Sequence, residues 1–266
     1  MRWNWQINYK LNMKKGLVSI ITPMYKGAEF VGETIESVLS QTYTNWEMII
    51  VDDCSPDDGA GIQVVKRYDD PRVKLIESKV NKGSSGARNI ALRGAKGQYI
   101  AFLDADDMWH PTFLERQLEF MRKKNATLVF SSYRRIDEKT KEEILSPFFV
   151  PNIVTYKSLL KTCPIFPSTA VYDLEKYKKI YFNEDMGSLR DDYVYWLTMM
   201  KEVDLAYGNQ EILVDYRLRK SSVTANKNKV IYPHWCVLRK VEKLSFIAST
   251  YYLLCWAFIS YFKYWK

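Results

Sequence analysis

The chain is poor in the side chains that build thiolate or imidazole centres. Four residues of 266 are cysteine (Cys54, Cys163, Cys236, Cys255), two are histidine (His110, His234), and no cysteines stand in a C-x-x-C pair. That scarcity argues against a zinc site and against a disulfide framework, and a reducing compartment fits it. Internal repeats, proline-rich linkers and low-complexity tracts are also lacking, so nothing marks off a second globular domain. Residues 1–12 carry Trp3, Trp5 and Tyr9 but no apolar core of the kind a signal peptide needs. Met13 reads as the natural start, residues 1–14 as an extension, 15–230 as one domain and 231–266 as a helical tail.

What is present bounds the fold. With 47% of residues in the hydrophobic set the chain can bury one large core. The net charge of +8 is spread along the sequence with no nucleic-acid motif beside it, so no nucleic-acid partner is expected. A membrane surface suits it better. Residues 244–262 carry no charge, lie between Arg239, Lys240 and Lys243 on one side and Lys263 and Lys266 on the other, and just reach spanning length. Their hydroxyl residues, with Tyr251, Tyr252, Trp256 and Tyr261, favour an aromatic amphipathic helix lying in the interface, continuous with residues 235–244. A true span and a packing or oligomer helix stay open as readings.

The centre of the chemistry is Tyr99-Ile-Ala-Phe-Leu-Asp104-Ala-Asp106-Asp107, an apolar run that reads as a buried strand and delivers three carboxylates at its end. Like charges so close raise one another's pKa unless basic groups or a metal compensate. A hard divalent ion shared with a diphosphate would do so. Two further runs have the same form: Val18-Ser-Ile-Ile-Thr22-Pro23-Met-Tyr25, followed by a helical pattern over residues 28–41, and Trp46-Glu-Met-Ile-Ile-Val-Asp52-Asp53, followed by Ile62, Val65 and Tyr68 at helical spacing. A third short strand, Val73-Lys-Leu-Ile76, leads to the loop Asn81-Lys-Gly83-Ser-Ser-Gly86, where Ser85 can cap a helix from Ala87 to about Ala95. Alternating strands and helices predict an α/β fold with a mainly parallel, Rossmann-like sheet, whose ligands lie beyond the carboxyl ends of the strands.

These residues resemble glycosyltransferases of family 2, which have the GT-A nucleotide-diphospho-sugar transferase fold. The likeness covers residues 17–229 and rests on the three strand ends above, on Gly86-Ala-Arg88-Asn and on Arg190-Asp191-Asp192-Tyr-Val-Tyr-Trp-Leu. The resemblance implies that Thr22 and Asp53 meet the nucleotide base, uracil being favoured, that Pro23 and Tyr25 belong to the same nucleotide-binding set, and that Arg88 lies near the nucleotide or diphosphate. It implies that Asp104 and Asp106 form the D-x-D motif, with Asp106 the direct ligand of Mn2+ or Mg2+ and Asp107 in support. Asp191-Asp192 matches the family's acidic pair, with Asp192 expected as general base on an acceptor hydroxyl and Asp191 as helix cap, or the reverse. Arg217, Arg219 and Lys220 match a closing basic motif over the diphosphate. The loop around Ser168 and Thr169, together with Trp109, falls where the family builds its acceptor pocket.

The expected activity is inverting transfer of a sugar from a UDP-sugar or similar donor to a surface-glycan or lipid-linked acceptor at the inner membrane face. The general form resembles bacterial enzymes of teichuronic acid, capsule or lipopolysaccharide assembly. A haloacid-dehalogenase-like phosphatase or a doubly wound metal-binding module would also use strand-end acids, but neither accounts for Asp191-Asp192 or the basic motif.

Overall fold

The structure, a computed structural model, describes residues 13–186, 190–219 and 228–263. In chain order its first elements are β1 (Lys14–Met24), α1 (Val31–Leu39), β2 (Trp46–Asp52), α2 (Ala60–Val65), β3 (Val73–Glu77), α3 (Gly83–Gly94) and β4 (Gly97–Phe102). There follow β5 (Met108–Trp109), α4 (Phe113–Lys124), β6 (Leu128–Asp137), β7 (Glu143–Phe148), β8 (Ile153–Val154), α5 (Tyr156–Lys161) and β9 (Val171–Asp173). The last are α6 (Asp191–Met200), β10 (Ala206–Leu218), α7 (Asn228–Cys236) and α8 (Phe246–Lys263).

Successive side chains of a strand point to opposite faces, and here both faces are covered. Ile20, Met48 and Ile50 join α1 and α4 in one core, through Val31, Ile35, Phe113 and Leu118. Ile21, Ile49 and Val51 join α3 and α6 in the other, through Ala87, Ala91, Tyr195 and Trp196. The small residues of α3 let that helix lie close to the sheet.

The sheet runs β3-β2-β1-β4-β9-β6-β10-β5. Pairing is parallel from β3 to β4 and between β6 and β10. β9 is antiparallel to both β4 and β6. The expected parallel pairing therefore holds from β3 to β4 and again between β6 and β10, with the short β9 inserted antiparallel between the two blocks.

Two local expectations are corrected. Helix α3 starts at Gly83, and Ser85 does not cap it. Asp53, at the end of β2, instead accepts the Lys82 N–H at 2.8 Å, so a neighbouring strand serves the helix start. The C-terminal helices are not continuous: α7 passes into a π turn at Val237–Val241, and Lys243 takes a left-handed backbone (φ 53°) before α8 begins.

Val237 and Leu238 are fully buried in the α3–α6 core, so this part of the tail is built into the domain. Helix α8 packs on α5 and α7. Its outer face carries Ile247, Tyr251, Leu254, Phe258 and Tyr261, spaced by four and three residues and all at least half exposed; Ile247 reaches 81%. No helix among the described residues is long and apolar enough to cross a membrane.

Candidate active site

Strands β1, β2 and β4 end on one edge of the sheet, and a cavity of about 870 Å3 opens there. Pro23, Tyr25, Lys26 and Asp53 line its β1–β2 side, Asp104 and Asp106 its centre, and Arg190, Asp191, Asp192 and Val230 its α6–α7 side. The parallel strands explain the convergence, since their carboxyl ends share an edge and the loops leaving them must meet.

The three acids after β4 have three different environments. Asp104 accepts from Arg88 Nη2 at 2.6 Å. Asp106 accepts from Arg219 Nη1 at 2.8 Å. Asp107 is wholly buried, taking the Ser168 hydroxyl at 2.5 Å and the backbone N–H of Arg217 at 3.1 Å. Burial, with the nearby carboxylates of Asp106 and Asp104, holds the Asp107 carboxyl well above its usual range. Asp107 thus ties β10 and the Pro167–Thr169 turn to the acidic loop, while Asp104 and Asp106 keep part of their carboxylates in the cavity, with side-chain exposures of 24% and 28%.

Arg88 is the hub of the site. From α3 its Nη1 donates to Asp191 Oδ2 at 3.0 Å while Nη2 holds Asp104. Burial alone would discourage the charge, but the two carboxylates outweigh it and hold the guanidinium firmly protonated. The same Asp191 oxygen accepts the hydroxyls of Ser84 at 2.8 Å and Ser85 at 3.0 Å. Through that oxygen Asp191 joins α6 to α3.

Asp192, one residue on, is more exposed and holds no such partners among the described residues. It lines the cavity, is half-buried and forms no ion pair among the described residues. Burial and the adjacent Asp191 carboxylate push its carboxyl up to about 6, with Arg190 pulling the other way. A carboxylate poised there, uncommitted and facing a cavity, has the properties of a general base.

The two arginines at the end of β10 also divide. Arg217 donates to Glu33 at 2.6 Å, to the Glu138 carbonyl at 3.1 Å and to the Asp106 carbonyl at 2.8 Å, and its side chain is 1% exposed. Arg219 has a side chain 26% exposed and reaches Asp106. Both stand over the Phe30 ring.

With the rim, the acid loop and α6 in these positions, the model of the family described as "Glycosyl transferase family 2" matches residues 19–205. The chain belongs to glycosyltransferase family 2. It is 37% identical over 252 residues to TuaG of Bacillus subtilis (strain 168), a protein named for teichuronic acid biosynthesis, covering 94% of this chain and 96% of that one. It is 37% identical over 239 residues to WfgD of Escherichia coli, named a UDP-Glc:α-D-GlcNAc-diphosphoundecaprenol β-1,3-glucosyltransferase, covering 90% of this chain and 91% of that one. Among solved structures, S. aureus TarS 1-349 in complex with UDP-GlcNAc superposes with a TM-score of 0.67 at 19% identity, over 90% of this chain and 71% of that chain. At that identity the likeness establishes the fold, which is GT-A.

Seen as a family 2 transferase, the site corrects several expectations. Thr22 is fully buried within β1 and does not line the cavity, whereas Pro23, Tyr25 and Asp53 do. Asp107 is enclosed and offers no oxygen to a metal. Arg217 is committed to Glu33 and two carbonyls, whereas Arg219 keeps a partly exposed side chain beside Asp106. Lys220 lies outside the described residues.

The acceptor residues also shift. Trp109 is core: β5 pairs it with Val214, its ring stacks on Phe113 at 4.1 Å, and its Nε1–H donates to the Ser168 carbonyl. Ser168 and Thr169 are buried, the first under the acidic loop and the second bonded to the Phe166 carbonyl. The segment does reach the cavity, through Phe166 and Pro167.

Sequence reasoning missed Ser84, Glu33, Phe30 and Arg190. Glu33 and Phe30 sit in a helix pattern that looked purely structural, and Arg190 was quoted only as the residue before the acidic pair.

Proposed function

We propose that the protein is an inverting transferase that moves a sugar from a UDP-sugar to a hydroxyl of a lipid-linked glycan, with Asp192 as general base. The observation that carries this reading is the contrast inside one acidic pair: Asp191 is buried and holds Arg88, Ser84 and Ser85 on one oxygen, whereas Asp192 faces the cavity without an ion pair among the described residues and with a raised pKa. An acceptor hydroxyl is a poor nucleophile and needs such a base on the face opposite the leaving group. Single in-line displacement would invert the anomeric carbon. The likeness to WfgD, close along nearly the whole of both chains, supports a UDP-linked donor and a diphospholipid acceptor.

Among the described residues no three His, Cys, Asp or Glu side chains converge as a metal cluster. One or two carboxylates completed by substrate phosphates suffice for Mg2+ or Mn2+, and Asp106 with Asp104 fits that donor set. An ion bound there would supply stabilisation of the charge on the departing nucleoside diphosphate. Arg219, released from Asp106, would remain beside the same phosphates, and Tyr25 and Asp53 would hold the base.

The exposed apolar stripe of α8, followed by Lys263 and preceded by the exposed Arg239, Lys240 and Lys243, supports peripheral attachment at the cytoplasmic membrane face.

The test is Asp192→Asn assayed for transfer from UDP-glucose to GlcNAc-diphosphoundecaprenol. Transfer should fall by roughly 10²-fold or more with UDP binding kept. The wild-type kcat/KM should rise with pH through about 6, the range in which Asp192 loses its proton, and the variant should lose that limb. Near-normal transfer by the variant would move the base elsewhere.

A further inference from the structure

Five cations line the cavity: Lys26, Arg88, Arg190, Arg217 and Arg219. Three are neutralised, Arg88 by Asp104 and Asp191, Arg217 by Glu33 and Arg219 by Asp106. Among the described residues Lys26 and Arg190 have no carboxylate partner. Lys26 belongs to the loop after β1, on the nucleotide side. Arg190 immediately precedes the acidic pair and is close enough to Asp192 to lower its pKa without forming an ion pair.

The surroundings of Arg190 are unusual for a surface arginine. Its Nε is buried with no hydrogen-bond partner, which leaves a donor of a charged group unfilled. Its backbone is in the left-handed region at φ 72°, which a non-glycine side chain occupies only under constraint from its neighbours. Its guanidinium stands 4.9 Å from the ring of Trp256 on α8 and 5.9 Å from that of Tyr193 on α6. The two rings sandwich His234, at 5.0 Å and 4.7 Å. Aromatic faces thus hold a charged fork in place while leaving its hydrogen bonds unmade.

We propose that Arg190 binds the phosphate that links lipid to sugar in the acceptor. The inference rests on the transferase reading and deepens it. A lipid-linked acceptor has three parts in fixed order: the sugar whose hydroxyl must reach Asp192, the phosphate linkage, and the hydrocarbon chain. Arg190 lines the cavity with Asp192 and stands over Trp256 on the inner face of α8, the helix whose outer face carries the exposed apolar stripe, so the unpaired guanidinium sits between the base and the helix offered to the hydrocarbon. On the transferase reading the donor diphosphate would be served by Arg219 and by a divalent ion held at Asp104 and Asp106. Bidentate donation from arginine to a phosphate oxygen pair is the interaction that a fork with no carboxylate partner favours.

Calorimetric titration of geranyl diphosphate, with geraniol as its uncharged counterpart, into protein saturated with UDP and Mn2+ tests the assignment, because UDP then fills the donor diphosphate site. Wild type should bind geranyl diphosphate more tightly than geraniol. Arg190→Gln should lose roughly ten- to a hundredfold of that affinity, and Arg190→Lys, which keeps charge but not the fork, less. UDP affinity should be the same in all three proteins, which also reports that the fold is kept.

Equal binding of geranyl diphosphate by wild type and Arg190→Gln, with UDP bound normally, would overturn this proposal and leave the transferase reading standing. Failure of wild type to bind UDP would overturn both. If Arg190→Gln weakened UDP-glucuronate relative to UDP-glucose while geranyl diphosphate was unaffected, the anion would be on the donor sugar and the assignment refuted.

Discussion

The two sides of the cavity hold charge in opposite ways. On the β4 side every acid and every arginine is matched: Asp104 with Arg88, Asp106 with Arg219, Arg217 with Glu33, and Asp107 enclosed by hydroxyl and amide donors. On the α6 side Asp192 and Arg190 feel each other's charge but face the cavity without an ion pair among the described residues. Matched charges fix a framework that is already low in energy and responds little to a ligand. Unmatched ones are held at a cost to the folded state, and a substrate can relieve that cost. Structure is thus concentrated on one side and reactivity on the other, and Arg88, touching both Asp104 and Asp191, joins them.

The largest effect should come from breaking that joint. Arg88→Met would leave two carboxylates uncompensated in a buried setting, and losing one partner of such a pair costs roughly 3–5 kcal/mol; the partial exposure of Asp104 places the expectation near the lower end. Urea unfolding at neutral pH measures it, and a loss below about 1 kcal/mol would show that the matched side is not a framework. Asp192→Asn, by contrast, should raise stability at neutral pH, because it removes the cost of ionising a half-buried carboxyl, while abolishing most turnover, so the two variants together separate framework from chemistry.

A smaller effect carries the comparison outward to α8. Replacing Leu254 and Phe258, 64% and 65% exposed, by serine should lower partition onto vesicles containing anionic phospholipid by at least roughly tenfold, because each removes apolar area that a membrane would cover. Unchanged partition would assign the stripe to another surface.

The smallest effect concerns the stack between α6 and α8. His234 is buried, its two ring nitrogens have no partner, and burial together with Arg190 lowers its pKa to about 3. The unfolded chain takes up a proton near pH 6.5 that the folded state refuses, so stability is complete above that pH and falls below it. Between pH 6.5 and 5.5 this group alone should cost on the order of 1 kcal/mol. His234→Phe keeps the stack and should flatten that slope, as seen by thermal melts across the range. An unaltered slope would remove His234 from the account.

How much of this could be read beforehand follows from chain distance. The strand-end acids were legible because a buried apolar run that stops at Asp-x-Asp or Asp-Asp states both the strand and its edge. The separate roles of those acids were not, since their partners arrive from remote segments: Arg88 and Asp191 are 103 positions apart and Arg217 and Glu33 184. Trp109 looked like a sugar platform because it follows the acids; the pairing of β5 with β10 turns it inward. Ser85 looked like a cap because it begins a helical pattern, but the helix start is served across the sheet by Asp53. The outer stripe of α8 was legible as aromatic and apolar, whereas the burial of Val237 and Leu238 depended on where β10 delivers the chain.

The most direct test of the central claim is calorimetric titration of UDP, GDP, CDP and dTDP, each with Mn2+ and again with a chelator. A cavity built for a nucleotide-diphospho-sugar beside Asp104 and Asp106 should prefer UDP and should lose most of that affinity with the chelator. Binding of none of the four, or UDP binding indifferent to the chelator, would contradict it.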